Sequence, residues 1–216
     1  LADPSSALPG DTLDARVRAA DIDRWLSSRF VADERLRADL IALYAFEAEL
    51  MAIPARVTQP LLAEMRYVWW REQLDGVFAG VARKGHPVLE ALTEIAARHR
   101  LERTPFDALV EAHIGRVHGE PHDLNAFYVG PMQVAARILA GPGFDDAVVE
   151  AGRVRGLAQT GQEVAARALR GRANAGVRGL PAAGFPAVAA AALVRPETPE
   201  ALKRLRLVWA VARGRL

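Results

Sequence analysis

Apolar residues recur at three- and four-residue intervals along nearly the whole chain, and no sustained alternating run reads as a strand. The spacing predicts a first helix over residues 11–28, with Asp11 or Thr12 as its cap after Pro9 and Gly10. Asp33 is placed to cap a second helix over about 34–52. That helix is expected to stop ahead of Pro54, because proline disfavours helical backbone in the residue before it. A third, over 60–82, opens on Pro60, whose fixed φ suits a first turn. Gly85, His86 and Pro87 separate it from a helix over 88–99, and Thr104 with Pro105 opens the next as cap and first turn. Gly119 and Pro121 punctuate a break over 115–123. Further helices are predicted over 125–139, 145–169 and 199–212, the last capped by Thr198, with a Gly-, Pro- and Asn-rich loop over 171–186. An all-α fold in a single domain spanning 1–216, with residues 1–12 as a flexible N-terminal tail, is the economical reading.

Composition narrows this picture. Hydrophobic residues make up 51% of the chain and charged ones 25%, which is the profile of a globular protein rather than a disordered one. No charge-free apolar run approaches the ~18 residues of a membrane span, so none is expected. The first residues carry neither the basic nor the apolar region of a secretory signal. The lack of cysteine removes disulfides, thiolate catalysis and cysteine-ligated metal sites. The net charge of +2 conceals an asymmetry: residues 1–150 hold 16 Arg/Lys against 23 Asp/Glu, residues 151–216 hold 12 against 3. Such a basic third suits anionic lipid, a diphosphate or nucleic acid. Equally, it can neutralise the acidic part within one fold.

Three clusters invite chemistry. His113, His118 and His122 lie near Glu111, Glu120 and Asp123, but Gly119 and Pro121 break any helix that would align the last two histidines, so a solvated helix end is preferred over a metal site. Trp69 and Trp70, flanked by Arg66 and Arg71, read as core packing with an Arg66–Trp70 cation–π contact available one turn apart. No nucleic-acid-binding fold is recognisable, and no nucleic-acid partner is expected. Arg167, Arg170, Arg172 and Arg178 form either a site for a phosphorylated or lipid ligand or a solvated loop. The alanine-rich stretch 180–194 offers a weak apolar face for a membrane.

The segments Asp21 to Leu26, Arg37 to Phe46, Arg66 to Leu74 with His86-Pro87-Val88, and Gly152 to Gln159 resemble, in order and spacing, the helices of squalene and phytoene synthases. The resemblance implies an isoprenoid-synthase-type helical bundle. In that family two aspartate-rich motifs hold Mg²⁺, which needs hard oxygen ligands and draws off a prenyl diphosphate. Aligned on those helices, the first motif's aspartate places hold Met51, Ala52 and Ala55; in the second, Gln162 and Glu163 stand where Arg-Asp is usual and Arg167 where the next aspartate falls. Glu47 and Glu49 lie just upstream but project from opposite sides of a helix. No metal site is therefore expected.

The pattern, with Phe46-Glu-Ala-Glu-Leu and Val57 to Pro60, is similar to a branch of the family that keeps the fold without the aspartates and includes a mitochondrial complex I assembly factor. This implies a membrane-associated, non-catalytic helper with no cofactor. It leaves open a protein partner in respiratory-complex assembly, an isoprenoid or lipid ligand, and a cytoplasmic location with peripheral contact at the inner membrane or its mitochondrial matrix side. Tyr44, Glu47, Met51, Gln159, Glu163 and Arg167 are the residues expected around a remnant cavity, with no catalytic group among them. The alternative is a divergent prenyl-diphosphate transferase in isoprenoid biosynthesis, using Mg²⁺ held by Glu47, Glu49 and Glu163.

Overall fold

A computed structural model describes residues 12–81, 83–195 and 198–216. The expected Asp11 cap and the tail over 1–11 lie outside these residues, and the helix expected over 60–82 ends at Phe78. Among the described residues the structure is all-α, with eleven α-helices and no strand. In chain order they are α1 (Leu13–Ala20), α2 (Ile22–Ser28), α3 (Glu34–Arg56), α4 (Pro60–Phe78), α5 (Pro87–His99), α6 (Thr104–Val117), α7 (Gly130–Ala140), α8 (Asp145–Gln159), α9 (Glu163–Gly176), α10 (Pro186–Ala189) and α11 (Glu200–Arg213). A π-helical turn, Asn125–Val129, leads into α7.

The buried face of α3 is the centre of the bundle: Leu40, Phe46 and Leu50 are wholly enclosed, and α1, α5 and α7 pack along it. Helix α4 packs on α5 and α6, while α8 packs on α9, α7 and the π-helical turn. Asp39, buried on α3, joins the two sides by bonding Arg98 and, at 2.7 Å, His99 on α5.

Four departures from the sequence expectations matter for the site. The first predicted helix is broken at Asp21, whose carboxylate caps α2 by accepting from the Arg24 backbone N–H at 3.0 Å. Second, α3 does not stop before Pro54 but continues to Arg56. Proline there deprives the Leu50 carbonyl of its helical donor. The Tyr67 hydroxyl replaces that donor at 3.2 Å, so the helix carries the proline without an orphaned carbonyl.

Third, the helix predicted over 145–169 is two helices. Gly161, at φ +78°, reverses the chain in a conformation that side chains with a Cβ rarely adopt. Helix α9 then runs on to Gly176, through the first part of the predicted loop. Fourth, the 180–194 stretch forms short helical turns with Phe185 to Val194 buried, so its apolar side chains serve the core and face no membrane. At α6, Arg103 rather than Thr104 occupies the cap position, and no side chain bonds the first turn there.

Candidate functional site

The break at Asp21 and the length of α3 together place four ionisable side chains at one point in the bundle. Arg24 donates through Nε to Asp21 at 2.8 Å and through Nη1 to Glu47 at 2.6 Å. Arg155, from the middle of α8, donates through Nη2 to Asp21 at 2.7 Å. Its other terminal nitrogen lies 3.8 Å from Asp23, which pairs at 2.7 Å with Lys203 of α11. Glu47, Arg155, Asp23 and Lys203 are buried. Here the basic C-terminal third does neutralise the acidic part: two of its cations meet carboxylates of α2 and its cap.

Burial opposes ionisation throughout this cluster, and the partners decide the outcome. At Asp21 the Arg155 and Arg24 guanidiniums outweigh burial and hold the carboxyl well below its usual range. At Glu47 burial prevails over Arg24 and raises the carboxyl's pKa. Arg24 is held as a cation by Glu47 and Asp21 despite its burial. Its guanidinium also lies 4.5 Å from the Tyr44 ring centre, and burial raises the Tyr44 hydroxyl above its usual value.

One side of this cluster faces a cavity of about 350 Å³. That is near the lower end of the ~300–1,000 Å³ typical of small-molecule sites. Asp21, Arg24, Glu47, Arg155 and Gln159 form its polar wall. Met51, Pro54, Leu109 and Phe127 supply apolar surface, and His113, Arg116, His122 and Tyr128 complete the lining. The π-helical turn brings in Phe127 and Tyr128, and Gly156 on α8 admits Tyr128: a Cβ there would lie 2.7 Å from Tyr128 Cδ2.

His113 stacks on Tyr67 at 5.0 Å and meets Phe127 edge-on at 4.8 Å. Burial, with a contribution from His122, lowers its pKa to about 4. His122 stacks on Phe127 at 4.2 Å, and burial and Arg116 lower its pKa. Neutral imidazoles against aromatic rings make this side of the cavity largely uncharged. Two buried polar atoms in the lining, Glu47 Oε1 and His122 Nε2, have no hydrogen-bond partner among the described residues. Buried atoms of this kind normally find a partner.

Of the residues expected around a remnant cavity, Glu47, Met51 and Gln159 line it. Tyr44 stands behind Arg24, in the wall of a separate void of about 10 Å³. Glu163 and Arg167 do not reach it: the turn at Gly161 places them on the first turns of α9, paired with each other at 2.6 Å and part-exposed. Glu49 projects away from Glu47 and pairs with Arg16 at 3.2 Å and Arg56 at 3.1 Å. The three histidines also separate. His118 pairs with Glu64 at 3.2 Å outside the cavity that His113 and His122 line. Among the described residues no group of three or more His, Asp or Glu side chains is arranged to hold a metal. Trp70 is buried against Phe46 as expected, but the cation over this aromatic pair is Arg83 on Trp69, at 5.4 Å.

Sequence reasoning did not place Asp21, Arg24, Arg155 or the two histidines in the cavity. A signal existed for one of them: Arg155 falls on the packed face of α8 with Gly152 and Gly156, whereas its neighbour Arg153 does not. Charges in such settings are usually paired.

Compared with known proteins, residues 17–128, from α1 to the π-helical turn, match the squalene/phytoene synthase family model. No curated protein and no solved structure matches the chain.

Proposed function

Because this chain belongs to the squalene/phytoene synthase family, we propose that it is a non-catalytic member, a lipid-binding or assembly factor whose cavity takes an uncharged apolar ligand with a hydrogen-bonding head. The single observation that carries this reading is the Asp21–Arg24–Glu47–Arg155 cluster. Glu47 and Arg155 stand on the helices that the resemblance ties to the family's two metal motifs, and each carboxyl group of the cluster is met by a guanidinium.

The residues present do not fit the Mg²⁺ that the family implies. Met51, Ala52 and Ala55 offer no oxygen donor, and the carboxylates that remain, Asp21 and Glu47, already accept from guanidiniums at 2.6–2.8 Å. A divalent ion entering here would sit beside Arg24 and Arg155. A diphosphate fares no better, because both arginines already pair with carboxyl groups of the chain. Only Arg116, at the cavity wall, adds positive charge.

An uncharged head suits the groups left without partners. A hydroxyl can donate to Glu47 Oε1 when the carboxyl is ionised, or accept from it when the raised pKa leaves it protonated. His122 Nε2 offers a second contact. The apolar body of the ligand would lie along Met51, Pro54, Leu109 and Phe127. A role in assembling respiratory complex I belongs to the same reading and is supported by the likeness of Phe46 to Leu50 to the aspartate-free branch.

Organic extraction of the purified protein, followed by mass spectrometry, tests the ligand. A neutral isoprenoid or lipid is expected at near-stoichiometric amount, and reduced several-fold in Met51→Trp, which narrows the cavity from its half-exposed edge. Recovery of nothing above background, or of equal amounts from both proteins, contradicts a cavity ligand.

A further inference from the structure

Helix α11 presents apolar residues on two opposite sides. Lys203, Leu207 and Ala210 are buried against the bundle, while Leu202, Leu205, Val208 and Trp209 are each 50–55% exposed on the outer side. At 100° per residue those four fall within one arc, with Arg204 at one edge and Arg206 and Arg213 at the other.

Beside this arc runs a groove of about 670 Å³ between α9 and α11, to which Arg167, Arg170, Arg195, Arg206, Arg213 and Arg215 contribute. Acidic residues are scarce here. Glu163 is taken by Arg167 and Arg195, and Glu200 by Arg204. Arg170, Arg206, Arg213 and Arg215 have no carboxylate partner among the described residues; Arg206 bonds the Thr198 hydroxyl and Arg213 lies over the Trp209 ring at 4.2 Å. Burial and the neighbouring Arg206 and Arg167 disfavour the charged form of Arg170, the signature of cations crowded without an anion.

We propose that the outer face of α11, with the arginines of the α9–α11 groove, docks on a bilayer surface containing anionic phospholipid. A convex apolar arc bordered on both sides by arginine matches an interfacial helix: Leu202, Leu205 and Trp209 enter the acyl boundary, and the guanidiniums reach the phosphates above it. A soluble phosphate would engage the arginines but leave the apolar arc in water. None of these side chains lines the cavity, so the proposal stands or falls apart from the ligand reading. No helix among the described residues is long and apolar enough to cross a membrane, so the contact is superficial.

Flotation with vesicles of phosphatidylcholine, with and without phosphatidylglycerol, tests this. The intact protein is expected to float with the anionic vesicles, less so as salt rises. Leu205→Glu and the double change Arg206→Gln with Arg213→Gln should each lose roughly tenfold in partitioning. All three altered positions lie at the surface, and unchanged thermal melting confirms that the variants fold. Absence of partitioning by the intact protein, or Leu205→Glu floating as well as the parent, overturns the proposal. So does a dimer in sedimentation velocity that Leu205→Glu dissociates, which would assign the face to a second copy. Binding of inorganic pyrophosphate without vesicle binding overturns it in favour of a soluble anion.

Discussion

Arg155 and Arg206 are the same residue type used in opposite ways. Arg155 is buried and donates to Asp21 within a cluster whose positive and negative charges match. Arg206 stands on an exposed helix face among arginines without carboxylate partners. Inside the bundle, the carboxyl groups and guanidiniums of the cluster are met by one another. At the α9–α11 surface Arg206 is not met in this way, and an anionic partner can bind it. A count of arginines along the sequence makes the two regions look alike; pairing separates them.

The strongest way to break this contrast is to remove a cation from the interior. Arg155→Met should destabilise the protein by about 3–5 kcal/mol in urea unfolding, because Asp21 and Asp23 then face each other with less compensation in a buried setting. Replacing Arg24 and Glu47 together by leucine should cost far less than either change alone, since no unpaired charge remains. Near-additive losses would mean that the pair is not coupled.

Acid probes the same region. His113, at about 4 in the folded protein against 6.5 for an unperturbed imidazole, favours the neutral form. Stability from this group is present above pH 6.5 and is lost as pH falls toward 4. Between pH 7 and 5 the loss should be roughly 2 kcal/mol. His113→Phe should flatten that slope, leaving the part due to His122, which faces it. Asp21, held below its ordinary range, contributes stability above that range which declines only under stronger acid. A slope unchanged by His113→Phe would remove His113 from the account.

Smaller still is the support of Pro54. Tyr67→Phe leaves the Leu50 carbonyl without its donor and should cost about 1 kcal/mol. At the far end of the scale, Arg206→Gln on the exposed face should change stability by less than about 0.5 kcal/mol. A larger loss there would show that the surface arginines are structural after all, and would erase the contrast.

Periodicity carried the helices well where nothing tertiary intervened: Asp33 capping α3, Pro60 opening α4 and the start of α8 at Asp145 are all visible in the residues. It failed where a distant group repaired or imposed a local feature. Pro54 reads as a stop because the Tyr67 hydroxyl that satisfies Leu50 is on another helix. Asp21 reads as helix interior because its partner Arg155 is more than a hundred residues away. That Met51, Ala52 and Ala55 stand where the resemblance puts aspartates was an expectation from the residues alone. The charged cluster was not legible, since two guanidiniums arriving from α2 and α8 leave no spacing signature. The turn at Gly161 shows the same limit: one residue's backbone carries Glu163 and Arg167 out of reach of the cavity.

In the non-catalytic member proposed, the cluster of Asp21, Arg24, Glu47 and Arg155 leaves no place for metal-dependent chemistry. Isothermal titration of the purified protein with farnesyl diphosphate, with and without Mg²⁺, with products followed in parallel, tests it most directly. The expected result is no heat of binding that depends on Mg²⁺ and no turnover. Mg²⁺-dependent binding, or release of diphosphate above the protein-free rate, would contradict it and return the chain to the divergent transferases.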